Sequence, residues 1–151
     1  MRADLHYGHV NTCERTNTRR TGRISPNFRI FSNGIARRDQ YAMKRVVLPE
    51  GGATIIRHNQ ILHFTLKTVC ERPFPPGTVS LEEKIYDPLV RIDDNIAMVW
   101  ARYEFLIDGK LDHWGTDIIN LVFVDGKWVI AGVLDNSRRS DEPVKPLTFG
   151  S

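Results

Sequence analysis

Two Asp-Gly pairs, Asp108-Gly109 and Asp125-Gly126, interrupt otherwise continuous runs of β-branched, aromatic and aliphatic residues. Both central positions of the tightest hairpin turn need positive φ, and Asp-Gly supplies it with the twist that antiparallel strands require. The flanking runs, Leu81–Ile92, Ile96–Ile107, Leu111–Val124 and Trp128–Asp135, therefore read as long strands in a meander. Ahead of them the pattern is helical. Ser25-Pro26 suits a helix start, with Phe28, Phe31 and Ile35 at helical spacing and Gly34 as a weak point. Asp39 can cap a second helix carrying Ala42, Met43, Val46 and Val47 on one face, ended by Pro49. Glu50-Gly51-Gly52 reads as a turn, Ala53–His58 as a short strand, and Asn59-Gln60 as a turn into Ile61–Phe64. A short helix over Thr65–Glu71 precedes the loop of Pro73, Pro75 and Pro76. Helices followed by a strand meander give an α+β fold.

With 151 residues, 41% of them apolar, the chain can bury one core without staples. The expected organisation is a basic extension over 1–24, one domain over 25–139 and a tail over 140–151. Met1–Ile30 holds six arginines against Asp4 and Glu14, more than the whole net charge of +3. Such a segment can neutralise phosphates, but no aromatic platform accompanies it, so nucleic acid is not the expected partner. No run reaches the ~18 apolar residues of a membrane span, and no apolar leader opens the chain. Cys13 and Cys70 offer neither a disulfide framework nor metal-ligand spacing, which fits a reducing, cytoplasmic setting.

Unbroken pairing through the Asp108-Gly109 turn sets Trp100 opposite Asp117, Arg102 opposite Gly115 and Glu104 opposite His113. Extending it through Asp125-Gly126 places Asp117 opposite Leu134. Since opposite residues share a face, one face then carries Met98, Trp100, Arg102, Glu104, His113, Asp117, Ile119, Leu121, Ile130 and Leu134. An apolar floor with a few convergent polar groups suits a ligand pocket. The other face, with Val99, Ala101, Tyr103, Trp114 and Asp135, suits packing against a second sheet, such as a dimer interface. A bulge would exchange the faces beyond it.

Tyr86-Asp87-Pro88, the segment Ala97–Phe105, His113-Trp114-Gly115-Thr116-Asp117 and Gly126-Lys127-Trp128, behind helices and a short strand pair, resemble the nuclear transport factor 2-like superfamily. Within it the chain is most similar to the SnoaL-like and lumazine-binding-like branches, over roughly Phe28 to Arg139. The resemblance implies a cone-shaped barrel, a curved and mainly antiparallel sheet wrapped around N-terminal helices, and a homodimer formed through the sheet. The same cone hosts ketosteroid isomerase, scytalone dehydratase, polyketide cyclases, epoxide hydrolases and non-catalytic binding domains.

Asp117 is the first candidate: in an apolar pocket its charged form is disfavoured, which suits acid–base work, although it could equally organise the core through hydrogen bonds. His113 with Glu104 would supply an imidazole oriented by a carboxylate, against the alternative of a rim pair. Trp100 offers a flat face for stacking a ligand, and Arg102 a charge for Glu104 or an anionic group. Tyr41, His58 and His63 come from elements that would cover the pocket. No nucleotide-binding, nucleophile-elbow or metal-ligand motif occurs, so cofactor-free proton transfer on a hydrophobic small molecule is the expected chemistry. The alternative is a ligand-binding or dimerisation module of the same fold.

Overall fold

Both Asp-Gly turns form: φ is 49° and 73° at Asp108 and Gly109, and 49° and 77° at Asp125 and Gly126. The structure, a computed structural model, describes residues 27, 29–74 and 77–139. The basic segment, the Ser25-Pro26 helix start, Phe28, Cys13 and the tail over 140–151 lie outside the described residues. Helix α1 covers residues 29–37. It is followed by α2 (Gln40–Lys44), β1 (Val47–Arg57), β2 (Gln60–Thr65), α3 (Leu66–Glu71), β3 (Leu81–Asp93), β4 (Ile96–Ile107), β5 (Lys110–Val124) and β6 (Lys127–Asn136). The strands form one six-stranded sheet in the order β2-β1-β6-β5-β4-β3. All neighbours are antiparallel except β1 and β6.

The helices form where capping and spacing predict. The Asp39 side chain accepts from the Ala42 backbone N–H, and Thr65 accepts from that of Thr68. Gly34 has a packing reason to be there, because a Cβ at that position would fall 2.4 Å from Met43 Cγ. It lets α1 and α2 touch. The second helix is shorter than its pattern suggests. Val46 and Val47 leave it to enter the core, and β1 continues through Pro49, Gly51 and Gly52. The strand tolerates Pro49 because its pairing with β6 is interrupted between Val47 and Gly52. The turn into β2 falls on His58 and Asn59, one residue earlier than expected, with φ of 51° and 57°.

Two bulges decide which side chains face inward. Pairing of β4 with β5 starts as the turn dictates, with Ile107 opposite Lys110 and Leu106 opposite Leu111, but Phe105 then faces His113. Asp112 is the extra residue. Beyond it Tyr103 faces Gly115, Ala101 faces Asp117 and Trp100 faces Ile118. Likewise Leu121 faces Ile130 but Asn120 faces Gly132, so Ala131 is extra and Asp117 faces Asp135. An unpaired residue bends its strand and increases its twist, which curves the sheet around the helices. The concave face thus gathers Val99, Ala101, Ile119, Leu121 and Ile130, each at most 1% exposed, against Leu66 of α3 and Phe31 of α1. Fully burying side chains of this kind is worth about 1.5–3 kcal/mol each.

The unbroken register is therefore corrected: Trp100, Arg102, Glu104 and Leu134 project from the convex face, while Val99, Ala101, Tyr103 and Asp135 look inward, so the face expected to meet a second subunit is instead the one buried in the core.

Candidate active site

Between the helices and the concave sheet lies a cavity of about 300 Å³. Phe31 and Ile35 of α1 and Leu66 and Val69 of α3 form its apolar wall. The sheet contributes Glu83, Tyr103, Phe105, His113, Asp117 and Asp135, with Arg57 at the end of β1. Asp117 and His113 thus line one cavity. They stand four positions apart on extended β5, about 13 Å between Cα atoms, and both lie on the inner side of the strand.

Gly115, midway between them, is buried and makes room for the Tyr103 ring. A Cβ there would sit 2.9 Å from the Asn136 carbonyl oxygen and 3.0 Å from Tyr103 Cε1. The Tyr103 hydroxyl passes over this glycine and donates to Asp135 Oδ1 at 2.7 Å. Burial, then the Asp135 charge, drives the phenol pKa far upward, so the hydroxyl keeps its proton.

Three carboxyl groups share this interior. Burial pushes the Asp117 pKa well above its ordinary 3.8, and the charges of Glu83 and Asp135 add to the rise. Burial also raises Asp135, opposed by the Tyr103 hydrogen bond and the Arg57 charge. Glu83 is raised by burial too, opposed by a hydrogen bond with Ser32. Like charges confined to a dry site cannot all ionise, so the cluster retains protons that isolated carboxylates would lose. Asp117 accordingly suits the role of a neutral acid.

His113 is biased in the other direction. Burial lowers its pKa below 6.5, the Asp112 hydrogen bond and charge oppose that fall, and the Arg57 charge adds to it. Its Nδ1–H donates to Asp112 Oδ2 at 2.8 Å, and its ring stacks on Phe105 with centroids 4.8 Å apart. The bulge explains how residues adjacent in sequence come to pair, since the extra residue breaks the alternation that would send them to opposite faces. Burial alone would raise the Asp112 pKa, but the His113 hydrogen bond and the Arg139 charge outweigh it and hold the carboxyl low. A carboxylate on Nδ1 fixes the tautomer and leaves Nε2 as the acceptor, which is the arrangement of a base. Because His113 stays neutral in the fold but charges in the unfolded chain, stability declines as pH falls below 6.5. Asp112→Asn should move the His113 titration, followed by imidazole NMR, to lower pH still. An upward move would mean that Asp112 does not support the imidazolium.

The other residues picked out by the sequence lie elsewhere. Glu104 faces Trp114 and accepts a hydrogen bond from Tyr86 Oη at 2.7 Å, so it is not the partner of His113; Asp112 is. Trp100 and Arg102 are exposed on the convex face, and Tyr41 is exposed on α2. His63 meets Thr54 on the exposed β1–β2 hairpin, at 3.1 Å. His58 lies in a small cleft beside the cavity, with Arg57 and His113. Tyr103, Asp135, Glu83 and Asp112 are the site residues that sequence reasoning missed. Their signal is the inward parity of β4, where Val99, Ala101 and Tyr103 alternate with the outward polar pair Arg102 and Glu104.

A second hollow of about 410 Å³, at the other end of the long strands, is lined by Ile92, Ile96 and Leu121 among others. It has no histidine, and its charged members Arg91 and Asp93 are exposed. Among the described residues no cluster of three or more His, Cys, Asp or Glu is arranged to hold a metal ion, and no helix is long and apolar enough to cross a membrane.

By sequence, no family model and no curated protein matches this chain. Solved structures do. An NTF2-like protein of unknown function from Shewanella baltica superposes with a TM-score of 0.66 at 18% identity, over 84% of this chain and 100% of the other. One from Silicibacter pomeroyi gives 0.65 at 15% identity, over 82% and 99%. A Novosphingobium aromaticivorans protein provisionally named a scytalone dehydratase gives 0.66 at 11% identity, over 87% and 93%. At these identities the likeness establishes the fold.

Proposed function

The chain has the nuclear transport factor 2-like fold, and from that premise we propose that it is a cofactor-independent enzyme moving protons on a hydrophobic small molecule, as an isomerase, cyclase or dehydratase does. The observation that carries this reading is one apolar-walled cavity lined by two groups biased in opposite directions, a carboxyl whose pKa burial raises and an imidazole whose pKa burial lowers. Such a divergence is how a site keeps an acid and a base together at neutral pH. His113 Nε2 takes a proton from a carbon made acidic by a neighbouring carbonyl. Asp117, as the neutral acid, donates to the carbonyl oxygen or to a departing hydroxyl. Both side chains line the same cavity, and the reacting part of the substrate lies between them. Tyr103 holds Asp135 beneath it.

Solvent deuterium tests this. Incubated in D2O with hydrophobic ketones and β-hydroxy ketones, the protein should exchange the α hydrogen, as read by mass spectrometry. Asp117→Asn and His113→Gln should bind the same ketones without exchange. Ketones that bind and never exchange would favour a binding module.

The proposal extends to a homodimer through the sheet. Leu89, Trp100, Ile118 and Leu134 are successive cross-strand partners, so they form one apolar row across four strands of the convex face. Leu89, Trp100 and Leu134 are 38–45% exposed, more than large apolar groups in one row ordinarily leave to water. The double change Trp100→Arg, Leu134→Arg should convert a species of twice 17.3 kDa to a monomer in sedimentation. A wild-type chain that sediments as a monomer would contradict this arrangement.

A further inference from the structure

The cavity opens beside a small cleft that it shares with Arg57 and His113, and the chemistry of that cleft is the reverse of the interior. Arg57, Arg138 and Arg139 surround it, and among the described residues Asp112 is the one carboxylate that lines it. Asp112 is engaged by Arg139 at 3.2 Å and by His113. Arg57 donates from Nε to Ser137 Oγ at 2.8 Å, and Ser137 is itself buried. Among the described residues neither Arg57 nor Arg138 has a carboxylate in ion-pair range. The fold brings these groups together. Ile56 of β1 runs parallel to Asn136 of β6, so Arg57 and Ser137 leave the two strands side by side, while Arg138 bridges back to Trp114 just past the Asp112 bulge.

We propose that this cleft receives the carboxylate of the substrate, so that the molecule turned over in the cavity is an amphipathic organic acid, its apolar body against Phe31, Ile35 and Leu66 and its anionic end at Arg57. The inference rests on the cavity being the ligand site and names the class of molecule it takes. Three observations favour it. A guanidinium held at Nε by a buried hydroxyl keeps its other N–H groups for a planar carboxylate. The cleft has about 40 Å³ of free space, room for a small polar group. The interior, whose burial already disfavours the charged forms of Asp117, Asp135 and Glu83, disfavours a ligand's anionic end in the same way, whereas the cleft attracts one, so the two ends of an amphipathic acid sort themselves. Binding also has a consequence for the base. The Arg57 charge disfavours the His113 imidazolium, and a bound carboxylate would cancel that charge, making His113 a stronger base when substrate is in place.

Calorimetry with two probes of equal shape tests the proposal: 1-naphthylacetate, which is anionic, and 1-naphthylacetamide, which is neutral. The full chain should bind the acid at least about tenfold more tightly, the range of a charge-assisted hydrogen bond. Arg57→Gln should remove that preference, and Arg138→Gln should reduce it. Acid binding should raise the His113 titration, and amide binding should not. Equal affinity for the two probes, or a preference for the amide, would overturn the carboxylate assignment and leave the cavity reading intact. Failure of both probes to bind would overturn the cavity reading and the assignment with it. The wild-type comparison decides these outcomes even if Arg57→Gln does not fold.

Discussion

Asp117→Asn is expected to make the protein more stable at pH 8 and to abolish its chemistry. In the fold the Asp117 pKa lies well above 3.8, the ordinary value that it keeps in the unfolded chain. Between those two values the folded state holds a proton that the unfolded state has released, so stability falls as pH rises from about 4 through the folded pKa. Asparagine has no charge to confine and also relieves Glu83 and Asp135 of a like neighbour. Replacing a strained active-site group commonly gains about 0.5–2 kcal/mol, which for a chain of this size is about 1–8 °C in Tm. The gain should shrink towards pH 4, where both states are protonated. Exchange or turnover should fall by about 10²–10⁴, the usual contribution of a general acid or base. Thermal melts at pH 4, 6 and 8 check the first part. A loss of stability at pH 8 would mean that the fold uses Asp117 in its charged form.

Gly115→Val should be among the most destabilising single changes in the sheet. The added Cβ meets the Asn136 carbonyl at 2.9 Å, which is backbone and cannot rotate away, and the Tyr103 ring at 3.0 Å. Overpacking of this kind costs about 1–3 kcal/mol, occasionally more. A rigid neighbour and a β-branched side chain place Gly115→Val near about 3 kcal/mol, or about 6–12 °C in Tm. Displacing Tyr103 also breaks its hydrogen bond to Asp135, so the tyrosine should lose the raised pKa visible in an ultraviolet titration. Unchanged melting would show that β5 and Tyr103 are not packed as described.

The turns and strand limits are legible in the sequence because Asp-Gly carries local chemistry that few other dipeptides share. β4 is found at Ile96–Ile107, as the pattern predicts, and β5 and β6 agree within a residue at each end. Neither bulge is legible in that way. Asp112 and Ala131 carry no residue-type signature, and inserting one unpaired residue reverses every facing that follows. Asp117 and His113 share a face in either register because both lie on β5 beyond its bulge, at even spacing. Trp100, Arg102 and Glu104 join them only in an unbroken register, and the same assumption separates Asp135 from Asp117. The inconsistency was visible in β4 itself. Arg102 and Glu104 mark its outward parity, which cannot share a face with an apolar floor. A conflict between a strand's own alternation and the pairing that its turn imposes is the trace a bulge leaves.

The central claim is that one cavity pushes a carboxyl and an imidazole in opposite directions, and site-resolved NMR reads both in one sample. With side-chain carboxyl carbons and imidazole nitrogens followed from pH 3 to 9, Asp117 should titrate well above 3.8 and His113 below 6.5. Asp117 titrating at or under 3.8 while His113 titrates at or over 6.5 would contradict the account, since neither group would then be held neutral by a shared interior.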